Sequence, residues 1–270
     1  MLHETFKLSE KYGATLTTYV MDNTEEIKMS PRRAMIVCPG GGYHFLSDRE
    51  AEPVALYYLG KGMNVFVLRY SVKPYAANYT PLIEAALAIK HVRENAKKYN
   101  IDPNYVFICG FSAGGHLAAS TGILWNIPEV KEALGDAPEG IAKPTGMVLS
   151  YPVITAGKKS HNGSILNLCG KDDPTEEERN RFSLELHVDP TSSPAFIWHT
   201  VNDNCVPVEN SLYLAQAYRD HGIPFELHIY PDGPHGSALA TEQTCAGKAK
   251  HLNEHIQSWA DLSYRWIMTF

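Results

Sequence analysis

The sequence predicts an α/β fold, in which a mostly parallel central sheet is covered by helices on both faces. From Ala34 onward, short runs of β-branched or aromatic residues recur, and each is followed by a loop and a stretch of helical periodicity. This alternation is typical of parallel strands joined by crossover helices. The chain has 270 residues, 44% of them hydrophobic, which is enough for one well-packed core. We therefore expect residues 1–270 to form a single domain.

Six runs have the continuous apolar character of strands that are buried on both faces. They lie at residues 34–37, 64–69, 105–110, 146–149, 195–198 and 225–229. Ahead of them, residues 16–20 have the alternation of a half-buried antiparallel strand, and they follow a candidate first strand at 6–8. The sheet is therefore predicted to have six parallel strands and an antiparallel edge near the N-terminus.

Helices are predicted between and after these strands. Pro81 suits the first turn of a helix, and apolar residues then recur on one face through residue 96. Near the end of the chain, Trp259 and Trp266 recur at helical spacing, which predicts a terminal helix docked on the sheet. Residues 157–193 fit no strand and are rich in charge, which predicts a largely solvated helix and a small cap.

Composition and charge exclude several classes of function. The net charge is −6, from 24 Lys and Arg and 30 Asp and Glu residues, so no basic surface is expected to bind nucleic acid. Five cysteines, with no C-x-x-C pair, favour a reduced intracellular compartment, and we expect a cytoplasmic protein. No apolar run approaches the ~18 residues needed to cross a bilayer, so neither membrane insertion nor secretion is expected.

The sharpest motif is GFSAG at 110–114, which matches G-x-S-x-G between a predicted strand and a predicted helix. On such a strained turn the serine hydroxyl stands clear of the sheet, and glycine two residues to either side avoids collisions there. Ser112 is therefore the candidate nucleophile. A glycine-rich turn that binds phosphate is the alternative, and it would need a nearby lysine that the segment lacks.

A serine hydroxyl needs a neighbouring base, and His235 is the candidate. Several of the 12 histidines lie within predicted helices or strands, whereas His235 falls in the loop PDGPHG at 231–236, directly after the last predicted strand. The carboxyl ends of parallel strands are where open α/β sheets place their sites. The chain order serine, acid, histidine further favours this residue.

The acid that orients this histidine is predicted to be Asp203. It is the only carboxylate in a strand-end turn between the serine and the histidine, within the segment HTVNDN at 199–204. Asp189 precedes the strand at 195–198 and should therefore lie at the end of that strand away from the site. Asp232 could orient the histidine only if its loop folded back. Capping of the following helix is the structural alternative for Asp203.

Acyl transfer also needs donors for the negative charge that develops on the carbonyl oxygen. Three glycines, residues 40–42 in the segment PGGGY, follow the strand at 34–37 and let backbone amides approach a substrate closely. Together with the Ala113 amide at a helix N-terminus, they are predicted to form an oxyanion hole. A tight turn without a ligand is the alternative for a glycine triplet taken alone.

One further pattern, H-x-x-E-H at 251–255, occurs in some metalloproteases that bind zinc. Here it lies near the end of the chain, where no structured segment is expected downstream to supply a third ligand. We interpret His251 and His255 as solvated residues on the polar side of the last helix. We expect no metal and no cofactor.

Residues 39–43 and 110–116, together with Asp203 and His235, resemble the α/β-hydrolase superfamily. Three segments carry a closer resemblance, to its compact carboxylesterase branch of hormone-sensitive-lipase-like and bacterial acetyl-xylan-esterase-like sugar esterases. The segments are CPGGGY at 38–43 with SDRE at 47–50, GFSAGGHLA at 110–118, and WHT at 198–200 with VPVENS at 206–211. The resemblance implies Ser112 as nucleophile, His235 as base and Asp203 as orienting acid.

The same resemblance implies that the amides of Gly41, Gly42 and Ala113 form the oxyanion hole. Two positions depart from the family pattern. Pro39 stands where a histidine usually opens the glycine segment, and Phe111 stands where many relatives have Asp or Glu. Neither departure changes the chemistry of the predicted triad.

The resulting prediction is a serine hydrolase that cleaves short-chain carboxylic esters, including acetyl groups on sugars, through an acyl-serine intermediate. Its expected partner is a small-molecule ester, with Tyr43 as a substrate-binding residue and Phe45 and Tyr75 as further walls of an acyl pocket. No feature of the sequence indicates an oligomeric state. Two alternatives remain open: an amidase, formamidase or peptidase-like hydrolase with the same triad, and a non-catalytic binding protein.

Overall fold

Eight strands form one sheet in the computed structural model, which describes residues 1–28 and 31–270. They are β1 (Thr5–Lys7), β2 (Thr15–Tyr19), β3 (Arg32–Cys38), β4 (Asn64–Arg69), β5 (Ile101–Phe111), β6 (Met147–Ser150), β7 (Ala195–Thr200) and β8 (Phe225–Tyr230). Their order across the sheet is β1-β2-β4-β3-β5-β6-β7-β8. Strands β3 to β8 pair in parallel, and β2 pairs antiparallel with β1 and β4. The predicted parallel sheet with an antiparallel N-terminal edge is confirmed.

Strand β5 begins earlier than the apolar pattern predicts. Ile101 pairs with Arg32, and the next pair of the ladder joins Ala34 to Val106, so the register shifts between them. The residues between Ile101 and Val106 include Pro103, which has no N–H to donate to the ladder. A search for continuous apolar runs therefore misses the first part of this strand.

Helices connect the strands and follow the last one. They are α1 (Glu52–Gly60), α2 (Thr80–Glu94), α3 (Ala113–Ile123), α4 (Pro128–Leu134), α5 (Asn162–Cys169), α6 (Glu176–Asn180), α7 (Glu209–Asp220) and α8 (Glu254–Ile267). Short 3₁₀ turns lie at Asp48–Glu50, Leu184–Leu186 and Ala249–His251. Within the part of the chain that the structure describes, no helix is long and apolar enough to cross a membrane.

The helices cover both faces of the sheet. Successive side chains of a strand point to opposite faces, so Ile36 and Val37 belong to different buried clusters. Ile36 packs in the cluster that includes residues of α2 and α3, and Val37 packs in the cluster that includes residues of α1 and α8. The sheet is thus the middle layer of three, and its carboxyl edge is left free for a site.

The C-terminal helix α8 docks on the sheet through Trp259. Its indole is fully buried and stacks on Trp198 of β7, with ring centroids 5.3 Å apart and an interplanar angle of 18°. Its Nε1–H donates to the carbonyl oxygen of Ala238 at 2.9 Å. Truncation of so deeply buried an aromatic side chain costs about 3–5 kcal/mol, so α8 is integral to the fold.

The segment 157–193 contains α5, α6 and the turn Leu184–Leu186. None of the residues of α6 is buried, as predicted for a solvated helix. Ile165 of α5 and Phe182 after α6 are instead buried in the main core. The expectation of one largely solvated helix is therefore wrong, because apolar residues between the charged ones attach this segment to the core.

The carboxyl ends of four parallel strands meet at one edge of the sheet. The glycine loop at 40–42 follows β3, and Ser112 follows β5. The loops that carry Asp203 and His235 follow β7 and β8. Residues far apart along the chain are therefore brought to one place by the order of the strands.

Candidate active site

Ser112 lies on a strained turn between β5 and α3. Its backbone has φ 53° and ψ −117°, a conformation that side-chain-bearing residues rarely adopt. A Cβ atom on Gly110 would lie 2.0 Å from the carbonyl oxygen of Gly114, and one on Gly114 would lie 2.2 Å from that of Cys38. Glycine is therefore required on both sides of the serine, which explains the G-x-S-x-G spacing.

His235 lies between the serine and the aspartate. Its Nε2 atom is 2.8 Å from Ser112 Oγ, and its Nδ1 atom is 2.7 Å from Asp203 Oδ2. Because a carboxylate can only accept, Nδ1 carries the proton and Nε2 is left to accept from the serine hydroxyl. The structure thus brings the three predicted triad residues into one hydrogen-bonded chain, and their catalytic roles stay a prediction.

The Asp203 carboxylate is completely buried and held from several sides. Its Oδ1 atom accepts hydrogen bonds from the amides of Cys205 and Val206, both at 2.9 Å. Its Oδ2 atom lies 3.3 Å from His199 Nε2, in addition to His235. Burial raises the pKa of this carboxyl, but the hydrogen bonds from the two histidines outweigh it, so the pKa lies well below its usual range. Asp203 is therefore an anion at neutral pH.

The two rival carboxylates do not reach the histidine. Asp189 lies before β7, where its carboxylate accepts from the amide and hydroxyl of Thr191 at 2.7 Å each. Asp232 is exposed and accepts from the side-chain amide of Asn202. Among the described carboxylates only that of Asp203 makes a hydrogen bond to His235.

The amides predicted to form the oxyanion hole are free. Within residues 1–28 and 31–270, no hydrogen bond engages the backbone N–H of Gly41, Gly42 or Ala113. Gly41 and Gly42 have φ values of 133° and 66°, and a Cβ on Gly41 would lie 2.0 Å from the carbonyl oxygen of Phe45. The turn therefore needs glycine, and it leaves donors available beside Ser112.

Glu50 is a buried carboxylate that the sequence reasoning did not assign. It is 3% exposed and lies in the turn Asp48–Glu50. Its Oε2 atom accepts from the Gly40 amide at 2.9 Å, and its Oε1 atom accepts from the Tyr151 hydroxyl at 2.6 Å. The Tyr151 oxygen in turn accepts from the amide of Ala238 at 3.0 Å. One carboxylate thus links the glycine loop to the loop that carries the histidine.

Arg49, in the same turn, makes a second link. Its Nη1 atom donates to the carbonyl oxygens of Gly236 and Thr244, at 2.8 and 2.9 Å. Gly236 directly follows the predicted base, so this guanidinium fixes the backbone beside it. The segment SDRE at 47–50 belongs to the resemblance in the sequence, but its burial and its distant partners are visible only in the structure.

Replacing Glu50 with glutamine is expected to lower both stability and turnover. Glutamine keeps one acceptor oxygen and adds an NH₂ donor, so the amide of Gly40 or the hydroxyl of Tyr151 loses its acceptor. A buried donor without a partner costs about 1–3 kcal/mol of unfolding free energy. We expect kcat to fall more than KM changes, because the glycine loop is displaced. Denaturation curves and steady-state kinetics on p-nitrophenyl acetate measure both effects.

The matched control is Glu176→Gln, the same change on the exposed first turn of α6. This control should match the wild type in both measurements. Wild-type kcat in Glu50→Gln would show that the buried carboxylate does not position the glycine loop.

An open cavity of 520 Å³ surrounds the predicted triad. Most of its side chains end in polar groups, and Phe45 is the one large apolar side chain among the described residues of its lining. The lining comprises Gly41, Gly42, His44, Phe45, Ser47, Arg49, Glu50, Ser112, His161, Gly163, Asn167, Cys205, His235 and Gly236. Three of these residues come from the segment 157–193, which therefore forms one wall. The prediction that this segment caps the site stays a prediction.

Tyr43 does not line this cavity, which corrects its prediction as a substrate-binding residue. Its side chain is 1% exposed and lies in the core, where its hydroxyl is 2.9 Å from His116 Nδ1. The other ring nitrogen, Nε2, faces the carbonyl oxygen of Phe182 at 3.0 Å, so Nδ1 accepts from the tyrosine. Burial lowers the pKa of His116 to about 4, so it stays neutral. The pair is therefore a structural contact.

The other two aromatic residues that were predicted to line the acyl pocket lie in different cavities of the structure. Phe45 lines the cavity and is 59% exposed. Tyr75 is 74% exposed and lines a different cavity of 580 Å³, which Lys7, Tyr12 and Asn78 also line. This larger cavity contains none of the residues predicted to be catalytic, so it is not the candidate active site.

The H-x-x-E-H pattern does not form a helical face. His251 lies in a 3₁₀ turn and is 6% exposed, whereas α8 begins only at Glu254. The expectation that His251 is a solvated helical residue is therefore wrong, and only His255 is exposed. In the described ranges, no three His, Cys, Asp or Glu side chains are grouped so that they could hold a metal ion.

The sheet topology and the strained serine turn define the chain as an α/β-hydrolase. The crystal structure of a carboxylesterase from Lactobacillus plantarum matches it with a TM-score of 0.84 and 29% identity, over 100% of this chain and 98% of that one. An acetyl ester-xyloside bifunctional hydrolase from Caldicellulosiruptor lactoaceticus matches with a TM-score of 0.82 and 36% identity, over 98% of this chain and 90% of that one. The predicted fold class is confirmed.

Within this class, the chain belongs to the BD-FAE family, whose model matches residues 21–218. It is 36% identical to endo-1,4-beta-xylanase B of Butyrivibrio fibrisolvens, over 90% of this chain and 38% of the relative. It is 31% identical to an acetylxylan esterase of Xylanibacter ruminicola, over 88% of this chain and 46% of the relative. The chain thus spans less than half the length of these two relatives. The resemblance to the carboxylesterase branch is confirmed, and the relatives' names support the prediction of a carboxylic ester hydrolase.

Proposed function

We propose that this protein hydrolyses short-chain carboxylic esters, with acetyl groups on sugar hydroxyls as its substrate class. The observation that carries the proposal is the hydrogen-bonded chain from Ser112 through His235 to Asp203, beside backbone amides that no described residue engages. A nucleophile, its oriented base and donors for the developing charge are the parts that acyl transfer requires.

In the first half of the proposed reaction, Ser112 Oγ attacks the carbonyl carbon while His235 Nε2 takes the serine proton. The carbonyl oxygen becomes an anion, to which the amides of the glycine loop and Ala113 donate. Buried, ionised Asp203 stabilises the imidazolium. The bond to the alkoxy oxygen then breaks, that oxygen takes the proton from His235, and the alcohol leaves an acyl-serine behind.

In the second half, a water molecule takes the place of the alcohol. His235 removes one proton from the water, and the water oxygen attacks the acyl carbon. The same amides stabilise the second tetrahedral anion. The bond to Ser112 Oγ breaks as His235 returns the proton to it, which releases the carboxylic acid and restores the enzyme.

The lining of the cavity supports a short acyl group and a polar alcohol. A long alkyl chain needs a continuous apolar trough, whereas Phe45 is the single large apolar side chain in the described lining. The neighbouring helix α6 has the sequence EEERN and buries none of its residues. The names of the relatives, an acetylxylan esterase and an acetyl ester-xyloside hydrolase, support the same class of substrate.

Acetyl and propionyl esters of p-nitrophenol are expected to have the highest kcat/KM in a series from two to twelve acyl carbons. Each methylene left in water forgoes about 0.8 kcal/mol of binding that an apolar trough would recover. A longer chain would have to lie against polar side chains such as those of Ser47 and Asn167, and their desolvation is expected to reduce kcat/KM on the order of tenfold by eight carbons. The measurement is kcat/KM at fixed pH for each ester. A maximum at eight carbons or beyond would contradict the short-acyl preference and leave the serine mechanism unaffected.

The sugar part of the proposal is tested by acetate release from acetylated xylan and from monoacetylated methyl xyloside. p-Nitroacetanilide, the amide counterpart of p-nitrophenyl acetate, is measured alongside. We expect acetate from both sugar substrates and slower cleavage of the anilide. Faster cleavage of the anilide would favour an amidase.

We also propose that the protein works in the cytoplasm and binds no nucleic acid. All five cysteines carry free thiols, and Cys205 is exposed beside the cavity, which suits a reducing compartment. The net charge of −6 supports the absence of a phosphate-binding surface.

A further inference from the structure

His161 is a second histidine in the active-site cavity, and the mechanism above does not use it. It is the N-cap residue of α5 and lines the cavity together with His235. Its Cε1 atom is 3.6 Å from the position that a Cβ would take on Gly42. The ring therefore sits against the glycine loop, on the wall that the segment 157–193 forms.

The hydrogen bonds of His161 determine where its proton lies. The amide of Ser164 donates to Nδ1 at 3.3 Å, and the hydroxyl of the same serine is 2.8 Å from Nδ1. The same amide also donates to the carbonyl oxygen of His161, at 3.0 Å. Because an amide N–H can only donate, its N-capping contact with Nδ1 makes this nitrogen an acceptor, which carries no proton. In the neutral ring the proton is therefore on Nε2.

This Nε2–H donor has no partner in the described part of the chain, since both hydrogen bonds of the ring are made by Nδ1. Burial lowers the pKa of His161, and the nearby charge of His235 lowers it further. The ring is thus a neutral imidazole at neutral pH. It presents one unused donor at the wall of the cavity.

The position of this donor indicates which part of the substrate it meets. The carbonyl oxygen of the substrate already has hydrogen-bond donors, which are the free amides of the glycine loop and Ala113. His235, which shares the cavity with His161, delivers its proton to the leaving alcohol. A short acyl group has no acceptor besides its carbonyl oxygen, so an oxygen that accepts from His161 belongs to the alcohol part.

We infer that His161 determines specificity, because its Nε2–H donates a hydrogen bond to a hydroxyl oxygen of the alcohol part of the substrate. The inference rests on the proposed ester hydrolysis and names the chemistry that its alcohol must offer. An alcohol with an oxygen next to the ester-bearing carbon, such as a sugar, satisfies the donor. An alcohol without that oxygen leaves the Nε2–H donor without a hydrogen-bond partner in the half-buried wall of the cavity.

Two variants distinguish the effect of losing the Nε2–H donor from the effect of losing the helix cap. His161→Asn keeps an oxygen that accepts from the Ser164 amide, so the cap of α5 is preserved, but it removes the donor at the Nε2 position. His161→Gln has an amide NH₂ that reaches the Nε2 position, so it restores the donor and loses the cap. The substrates are monoacetylated methyl xyloside and 4-acetoxytetrahydropyran, which has a similar ring but no hydroxyl groups.

The readout is the ratio of kcat/KM for the xyloside to kcat/KM for the tetrahydropyran ester. Loss of one hydrogen bond is expected to lower this ratio on the order of tenfold in His161→Asn. His161→Gln should recover most of the ratio even if its thermal stability is lower, because stability affects both substrates alike. Unfolding curves of all three proteins accompany the kinetics.

Two results would overturn the inference: an unchanged ratio in His161→Asn, which includes an equal loss for both esters, or the same fall of the ratio in both variants. Failure of the proposed function is seen separately, in the wild type. A wild type that cleaves neither ester overturns the proposed function and this inference with it. A wild type that cleaves both esters, with an unchanged ratio in the asparagine variant, overturns only the inference.

Discussion

Replacement of Ser112 by alanine is expected to abolish ester hydrolysis and to leave the fold intact. The serine supplies the oxygen that forms the acyl bond, and among the described residues its side chain makes a single hydrogen bond, to His235. Loss of such a nucleophile lowers kcat on the order of a millionfold. Turnover of p-nitrophenyl acetate by the purified variant measures the effect, and a denaturation curve matching that of the wild type shows that the fold is retained.

A fluorophosphonate probe identifies the reactive residue directly. It should label the wild type once, on the peptide that contains Ser112, and should fail to label Ser112→Ala. The matched control is Ser47→Ala, which removes another serine of the same cavity and should still be labelled. Persistent labelling of Ser112→Ala would mean that a different residue is the nucleophile.

Loss of the predicted base should be nearly as damaging as loss of the serine. We expect His235→Ala to lower kcat on the order of a millionfold and Asp203→Asn on the order of ten-thousandfold. An asparagine at 203 can donate to the imidazole, which moves the ring proton to Nε2 and prevents that nitrogen from accepting the serine proton. Steady-state kinetics on p-nitrophenyl acetate give both values.

Asp232→Asn is the control for the acid, because it makes the same change on an exposed carboxylate three residues before the histidine. This variant should retain wild-type turnover. Wild-type turnover in Asp203→Asn would reopen the choice of the acid, with Asp189 and Asp232 as candidates.

Most of the sheet could be predicted from the sequence, because strands buried on both faces are short continuous apolar runs that turn residues separate. The first part of β5 could not, since its pairing depends on a register shift opposite Arg32 and Ala34. The packing of the segment 157–193 against the core could not be predicted either. Its charges dominate the sequence, whereas a few apolar side chains, among them Ile165, decide where it packs.

In the site, the residues that lie next to a strand end could be predicted, because the topology alone brings Ser112, Asp203 and His235 to one edge. The structure places their side chains within hydrogen-bond distance, and their catalytic roles stay a prediction. Glu50 could not be assigned, because its role depends on contacts with Gly40 and with Tyr151, a hundred residues away along the chain.

The prediction for Tyr43 was wrong for a reason of backbone geometry. Its φ of 56° belongs to the turn that the glycine loop makes, and this turn directs the phenol into the core. The aromatic ring next to a glycine triplet is visible in the sequence, but the direction of its side chain is not.

The residues that line the cavity in the turn Asp48–Glu50 differ from those just before it in how freely they can be substituted. Arg49 and Glu50 each bond to two distant backbone or side-chain groups, so a change at either disturbs two loops at once. His44 and Phe45, a few residues earlier, are exposed and make no side-chain hydrogen bond to any described residue. A directed library that varies these two positions can therefore sample new substrates while the reacting groups stay in place, which makes them the natural entry point for engineering this hydrolase.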